Sequence, residues 1–295
     1  MNLKFIISLL LFFGIFIDAQ KKQQIFFCSE IHNPTQQEFV RKNKVKNFYI
    51  FYQDYIIDRD LNLDKDKLKK EIDRQIPSTK ASGYAALDVE AESLLIILKE
   101  KKVSINEYNR IINNHINMIR YAKSLRPNIK WSFYGYNLTS YPYVTDGHEN
   151  DITVGTYPLL RELDFLAPSM YLQDKKTSEN LDIIKTFVSS NLTLSLKLGK
   201  KFNKPVYPFV WNRYHNVSSE NTLIDPSDFQ WYVSQILNFT YNKRKVDGVI
   251  FWNSETYIYE TNKNMNVRNE YRNVKDIKEY QTGVLQEYWN TIKNK

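Results

Sequence analysis

Cysteine is almost absent from this sequence. Cys28 is the only one in 295 residues, which excludes an intramolecular disulfide and any cysteine-built metal site. No activating partner stands beside it, so it reads as a small core filler rather than a nucleophile. Glycine is also scarce, at 8 residues, and no phosphate-cradling glycine loop is present. The histidines His32, His115, His148 and His215 lack metal-ligand spacing, so neither a metal nor an organic cofactor is expected. His115 falls within a long helical pattern, where a structural role is expected. Beyond residue 17 no apolar run is long enough to cross a bilayer. No internal repeat, low-complexity tract or linker divides the chain, which argues for one domain.

At the N-terminus one basic residue, Lys4, precedes an apolar run from Phe5 to Ile17. The run is short for a membrane span and has the form of a signal peptide, with Ala19 a fair cleavage position; the alternative is an uncleaved anchor. The expected division is residues 1–19 as signal peptide and 20–295 as the working domain. The expected location is secreted or extracellular, or periplasmic in a bacterial cell, with no membrane attachment after cleavage. The net charge is +8, and losing Lys4 and Asp18 together leaves it unchanged. A basic exported chain suits anionic partners such as acidic polysaccharide. A nucleic-acid partner is not expected, because charge is its only support. Asn137, Asn191, Asn216 and Asn238 begin N-x-S/T sequons, which matter if the source cell glycosylates.

From residue 45 onward, strand-like apolar runs alternate with helical stretches. Residues 45–52, 83–90, 130–136, 163–172, 204–211 and 247–254 read as strands, and 25–31 is a further candidate. Helical patterns fill the gaps: a charged one stopped before Pro77, one from a Ser104/Glu107 capping box to about Leu125, and others near 178–199, 226–243 and 268–293. Alternation of this kind predicts α/β architecture with parallel strands, best met by a single-domain (β/α) TIM-like barrel.

Barrel chemistry gathers where strands end. There the sequence places Asp88 and Glu90, Tyr134 and Tyr136, Ser169 and Tyr171, and Trp252 and Ser254. Each pair is spaced by two, so each is expected to face one way. Any one tyrosine or tryptophan there is ordinarily packing, and a lone D-x-E is common. Two carboxylates at this spacing have Cα atoms about 6.6 Å apart and can share a proton. The longer Glu90 is expected to be the acid and Asp88 its partner. Glu92 reads as a solvated or structural acid. No second carboxylate is evident at another strand end. Glycosidases without one can use the substrate's 2-acetamido carbonyl as nucleophile, which restricts them to N-acetylhexosamine substrates.

Five segments, in order, carry a resemblance: "RQIPSTKASGYAALDVEAE", "AKSLRPNIKWSFYGY", "LDFLAPSMYL", "KPVYPFVWNRYHN" and "DGVIFWNSE". Over roughly residues 45 to 256 the sequence resembles the animal and venom hyaluronidases, glycoside hydrolase family 56. The resemblance implies Glu90 as acid/base and Asp88 as the group orienting the acetamido nitrogen. It also implies Tyr134 and Tyr171 as acetamido contacts, Trp252 as the ring packed against that group, Ser254 in support, and Trp211 lining the cleft. The sequence departs from the family: Val89 and Ala91 surround the acids, the W-R-P continuation after D-x-E is missing, Asn253 stands where glycine is usual, the disulfides cannot form, and there is no cysteine-rich tail. The function implied is a secreted endo-glycosidase cleaving internal β-1,4 N-acetylhexosaminide bonds of hyaluronan. Alternatives are a hydrolase of chondroitin or another N-acetylhexosamine polymer, or a non-catalytic glycan-binding protein on the same barrel.

Overall fold

Apolar residues fill both faces of the central strands, as parallel sheets require when helices cover one side and a barrel interior the other. The structure is a computed structural model and describes residues 22–28, 33–90, 104–136, 154–215 and 221–293. The signal segment, Glu92, His32, His148, Asn137 and Asn216 lie outside the described residues. Six parallel strands form one sheet: β1 (Gln24–Cys28), β2 (Lys46–Tyr52), β3 (Gly83–Asp88), β4 (Ile129–Phe133), β5 (Phe209–Trp211) and β6 (Gly248–Trp252). Their order is β4-β3-β2-β1-β6-β5.

The segment after β4 closes the ring. Ala167 bridges to Tyr134 on one side, and Leu166 and Ser169 bridge to Val206 and Phe209 on the other, all parallel. The run 163–172, expected as a strand, therefore pairs through isolated bridges. Pro168 within it has no N–H for a continuous ladder, and its carbonyl instead accepts from Phe209 N–H at 2.9 Å. The 204–211 run is likewise a ladder strand only at 209–211.

The helices are α1 (Pro34–Asn43), α2 (Lys65–Gln75), α3 (Ile105–Leu125), α4 (Tyr157–Glu162), α5 (Leu181–Lys201), α6 (Pro226–Asn238), α7 (Glu255–Thr261), α8 (Met265–Glu270) and α9 (Ile277–Ile292). A short 3-10 turn, Gln53–Tyr55, follows β2. Ser104 caps α3 by accepting from Glu107 N–H. The capping box is only half made, because the Glu107 carboxylate pairs with Arg110. The expected helix near 268–293 is two helices, since Asp276 opens a new one by accepting from Lys278 and Glu279 N–H.

Side chains sort by strand parity. Phe26, Phe48, Phe165, Tyr207 and Phe209 fill the barrel interior, while Phe27, Phe51, Leu87, Val210 and Phe251 pack outward in the larger core beneath the helices. The interior rings meet mostly edge to face, as with Phe48 and Phe209 at 5.5 Å and 87°. Each buried ring of this kind stabilises by about 1.5–3 kcal/mol. Cys28 is free and buried in this interior, in the filling role expected of it.

Candidate active site at the barrel mouth

Asp88 is the last residue of β3 and shares the inward parity of Tyr84 and Ala86. It lies opposite Tyr52 in the β2 register. Its Oδ1 is sealed from solvent and has no hydrogen-bond partner. Burial, and after it the charge of Glu90, holds the Asp88 carboxyl well above the usual carboxylate range. The two carboxyls act on each other, but the enclosed, raised member is Asp88, not the longer Glu90 expected to be the acid. Glu90 is exposed. It stands two residues past the strand, where Glu90 N–H donates to Gln53 Oε1 at 3.1 Å. A side chain of the turn after β2 thus holds the backbone beyond the ladder's end.

Facing the acids is a wall of rings. The Tyr134 and Ser169 hydroxyls are hydrogen-bonded at 2.9 Å. The Tyr134 and Tyr171 rings lie 5.8 Å apart. Tyr171 stacks on Trp252 at 5.7 Å and 15°, and Trp211 meets Trp252 at 4.9 Å and Tyr171 at 5.6 Å. Trp252 Nε1–H donates to Tyr52 Oη at 3.1 Å, fixing the indole. Burial, then the charge of Glu90, pushes the Tyr134 hydroxyl far above its ordinary value. Burial, then Tyr134 and Asp88, does the same for Tyr171. Both hydroxyls therefore stay protonated and able to donate. The Cys28 thiol, raised by burial and by Asp88, lies within reach of the same field.

Tyr136 does not join this wall, contrary to the expectation that it faces as Tyr134 does. Gly135, at φ +77°, lies in the left-handed region and breaks the alternation. Tyr136 consequently packs outward on His115 and Phe133, at 6.0 and 5.6 Å. Ser254 is also set apart: it is buried at the start of α7, with Oγ unpartnered and no capping bond.

The acid that follows β6 is committed elsewhere. Glu255 and Arg213, both wholly buried, form a two-pronged ion pair, with Arg213 Nε donating to Glu255 Oε1 at 2.8 Å. Arg213 also reaches Glu270 Oε2 at 2.8 Å and Tyr271 Oη at 2.9 Å. Tyr271 in turn donates to Glu255 Oε2 at 2.7 Å. This leaves Asp88 and Glu90 as the paired carboxylates of the aromatic mouth among the described residues. No described group of His, Cys, Asp and Glu could hold a metal ion. The places of Gln53, Tyr52 and His215 at the site have no sequence signal, since each reaches it through a contact between distant segments.

These features define the class first: a parallel (β/α) barrel whose C-terminal mouth combines an acidic pair with stacked aromatic rings. Among solved structures, it resembles bee venom hyaluronidase. The form in complex with a hyaluronic acid tetramer superposes with a TM-score of 0.58 at 16% identity, covering 85% of this chain and 97% of that one. The monoclinic form gives 0.56 at 15%, covering 88% and 100%. The chain shares that fold without disulfides. Neither a family model nor a curated protein matches the sequence.

Proposed function

We propose that this chain is a glycoside hydrolase that cuts internal N-acetylhexosaminide bonds of hyaluronan, using the substrate's acetamido group as nucleophile. One observation carries the reading: half-buried Asp88 has a sealed, unpartnered oxygen at the mouth of a ring-lined barrel, two residues from an exposed carboxyl. An unpartnered buried acceptor is costly unless a ligand group satisfies it, and an acetamido N–H is such a group.

In the proposed reaction the proton that Asp88 holds passes to Glu90 once the acetamido group binds, and Glu90 gives it to the glycosidic oxygen as the bond from that oxygen to C1 breaks. The acetamido carbonyl oxygen bonds to C1 on the opposite face, forming a cyclic oxazolinium. Asp88 accepts from the acetamido N–H and balances the charge that develops. Tyr134 and Tyr171 hold the acetamido group, and Trp252 packs against it. Water then attacks C1, Glu90 takes its proton, and the ring opens with retained configuration. Trp211 lines the cleft, and Ser254 stands at the start of α7 without a capping bond. The resemblance to a hyaluronidase fold supports hyaluronan as the first polymer to try, with chondroitin next. Export belongs to the proposal and rests on the sequence of residues 1–19.

Reducing-end release from hyaluronan by wild type and Glu90→Gln tests the reading. Activity in the first and loss of about 10²–10⁴-fold in the second supports it. Equal activity in both removes Glu90 from its role. Binding of hyaluronan, chondroitin and chitin-type polymers without cleavage of any makes the protein a glycan-binding barrel instead.

A further inference from the structure

His215 ends the ring wall. It is exposed at the cleft rim, edge-on to Tyr171 at 5.3 Å and 65° and to Trp211 at 6.0 Å and 63°. Two further contacts fix it. Its backbone N–H donates to Leu172 O at 2.8 Å, and its Nδ1 lies 3.3 Å from the Gln173 amide nitrogen. That amide also donates to Tyr171 O at 3.3 Å. An imidazole is thus held in one orientation by segments 42 residues apart in sequence.

We infer that Gln173 and His215 form a subsite for the carboxylate of a uronic acid next to the N-acetylhexosamine held by Tyr134, Tyr171 and Trp252. This rests on the hydrolase reading above. An alternating acidic polysaccharide places a carboxylate one sugar away from the acetamido group. Near the reacting sugar that carboxylate would meet the negative charge that the Asp88–Glu90 pair carries. One ring farther along the wall it meets His215, which carries an N–H donor in either protonation state. Arg213, two residues earlier, cannot serve, because Glu255 and Glu270 already bind it in the interior. The rim therefore offers a donor suited to an anionic sugar where the wall ends.

Carboxyl-reduced hyaluronan, a neutral polymer with the same backbone, isolates this contact. Binding is measured in the Glu90→Gln protein, so that chains stay intact, with short native and carboxyl-reduced oligosaccharides. The native form is expected to bind about tenfold more tightly, the scale of a hydrogen bond to a charged group. Adding His215→Ala should bring the ratio close to one while leaving binding of the neutral form unchanged. Gln173→Ala should lower the ratio part of the way, since it orients the ring. A ratio unchanged in His215→Ala overturns the subsite, as does a parent that prefers neither form or binds neither. The hydrolase reading is decided separately, by wild-type chain cutting. A protein that prefers the native form in this way but cuts neither polymer keeps the subsite and loses the reaction.

Discussion

Gln53 accepts the backbone N–H of Glu90, a contact that spans 37 residues and ties the turn after β2 to the carboxylate beyond β3. Positioning of this kind acts on the reacting geometry more than on substrate affinity. Gln53→Leu should lower kcat by about 10–10²-fold with KM nearly constant, the scale of a misplacement near 1 Å. Gln53→Glu keeps an acceptor oxygen and should recover part of the loss. It should also shift the pH–rate profile, because it sets a new charge beside Glu90. Steady-state kinetics across pH separates this from a simple folding defect.

Asp88 links activity to stability. Its folded-state pKa is raised by burial and by Glu90. The stability it contributes is therefore complete below the ordinary aspartate value of about 3.9 and is lost as pH rises through the raised value. Asp88→Asn removes that loss. The variant should melt about 2–4 °C higher than wild type at neutral pH and level with it in strong acid, while hydrolysis falls by about 10²-fold or more. Thermal melts at several pH values, beside the activity assay, check both halves.

His115 titrates in the opposite sense. It is buried in α3 with Nδ1 2.9 Å from Ile111 O, and burial lowers its pKa. The neutral ring favours the folded state, so its contribution is present above the unperturbed value of about 6.5 and lost as pH falls toward the lowered one. Wild type should lose stability below about pH 6, and His115→Leu should flatten that acid limb. Urea midpoints from pH 7 to 4 measure it.

Breaking the Arg213–Glu255 pair from one side strands a buried charge. Arg213→Met or Glu255→Gln alone should destabilise by about 3–5 kcal/mol, whereas a double replacement by apolar residues should cost much less than the sum. Denaturant unfolding of the cycle tests this. Loss of activity in either single variant should follow the unfolded fraction.

The barrel and most of its mouth were legible because they follow from parity. Alternate residues placed Asp88, Tyr171, Trp211 and Trp252 inward, and apolar runs marked the strands. Parity failed at Gly135, whose positive φ turned Tyr136 into the outer core. Helix α1, "PTQQEFVRKN", escaped notice because it buries only Gln36 and Phe39 and shows no apolar stripe. Which carboxyl is raised depends on enclosure by several segments, and spacing alone cannot give that. Gln53 and His215 were hidden for the same reason: their roles exist only in contacts between chain segments far apart in sequence. Asn191 shows the converse. Its sequon is plain, yet the side chain is buried in α5 and donates to Phe187 O at 2.9 Å, so only the unfolded chain could present it to a glycosylating enzyme.

The clamp of Arg213 with Glu255, Glu270 and Tyr271 fastens the turns after β5 and β6 to α8 by ionic and hydrogen bonds. Nothing in it can be reduced, and the one thiol is buried. The mouth of the barrel is therefore indifferent to redox potential, assembling alike in a glutathione-rich cytosol and in open air and needing neither an oxidant nor an isomerase to reach its final form.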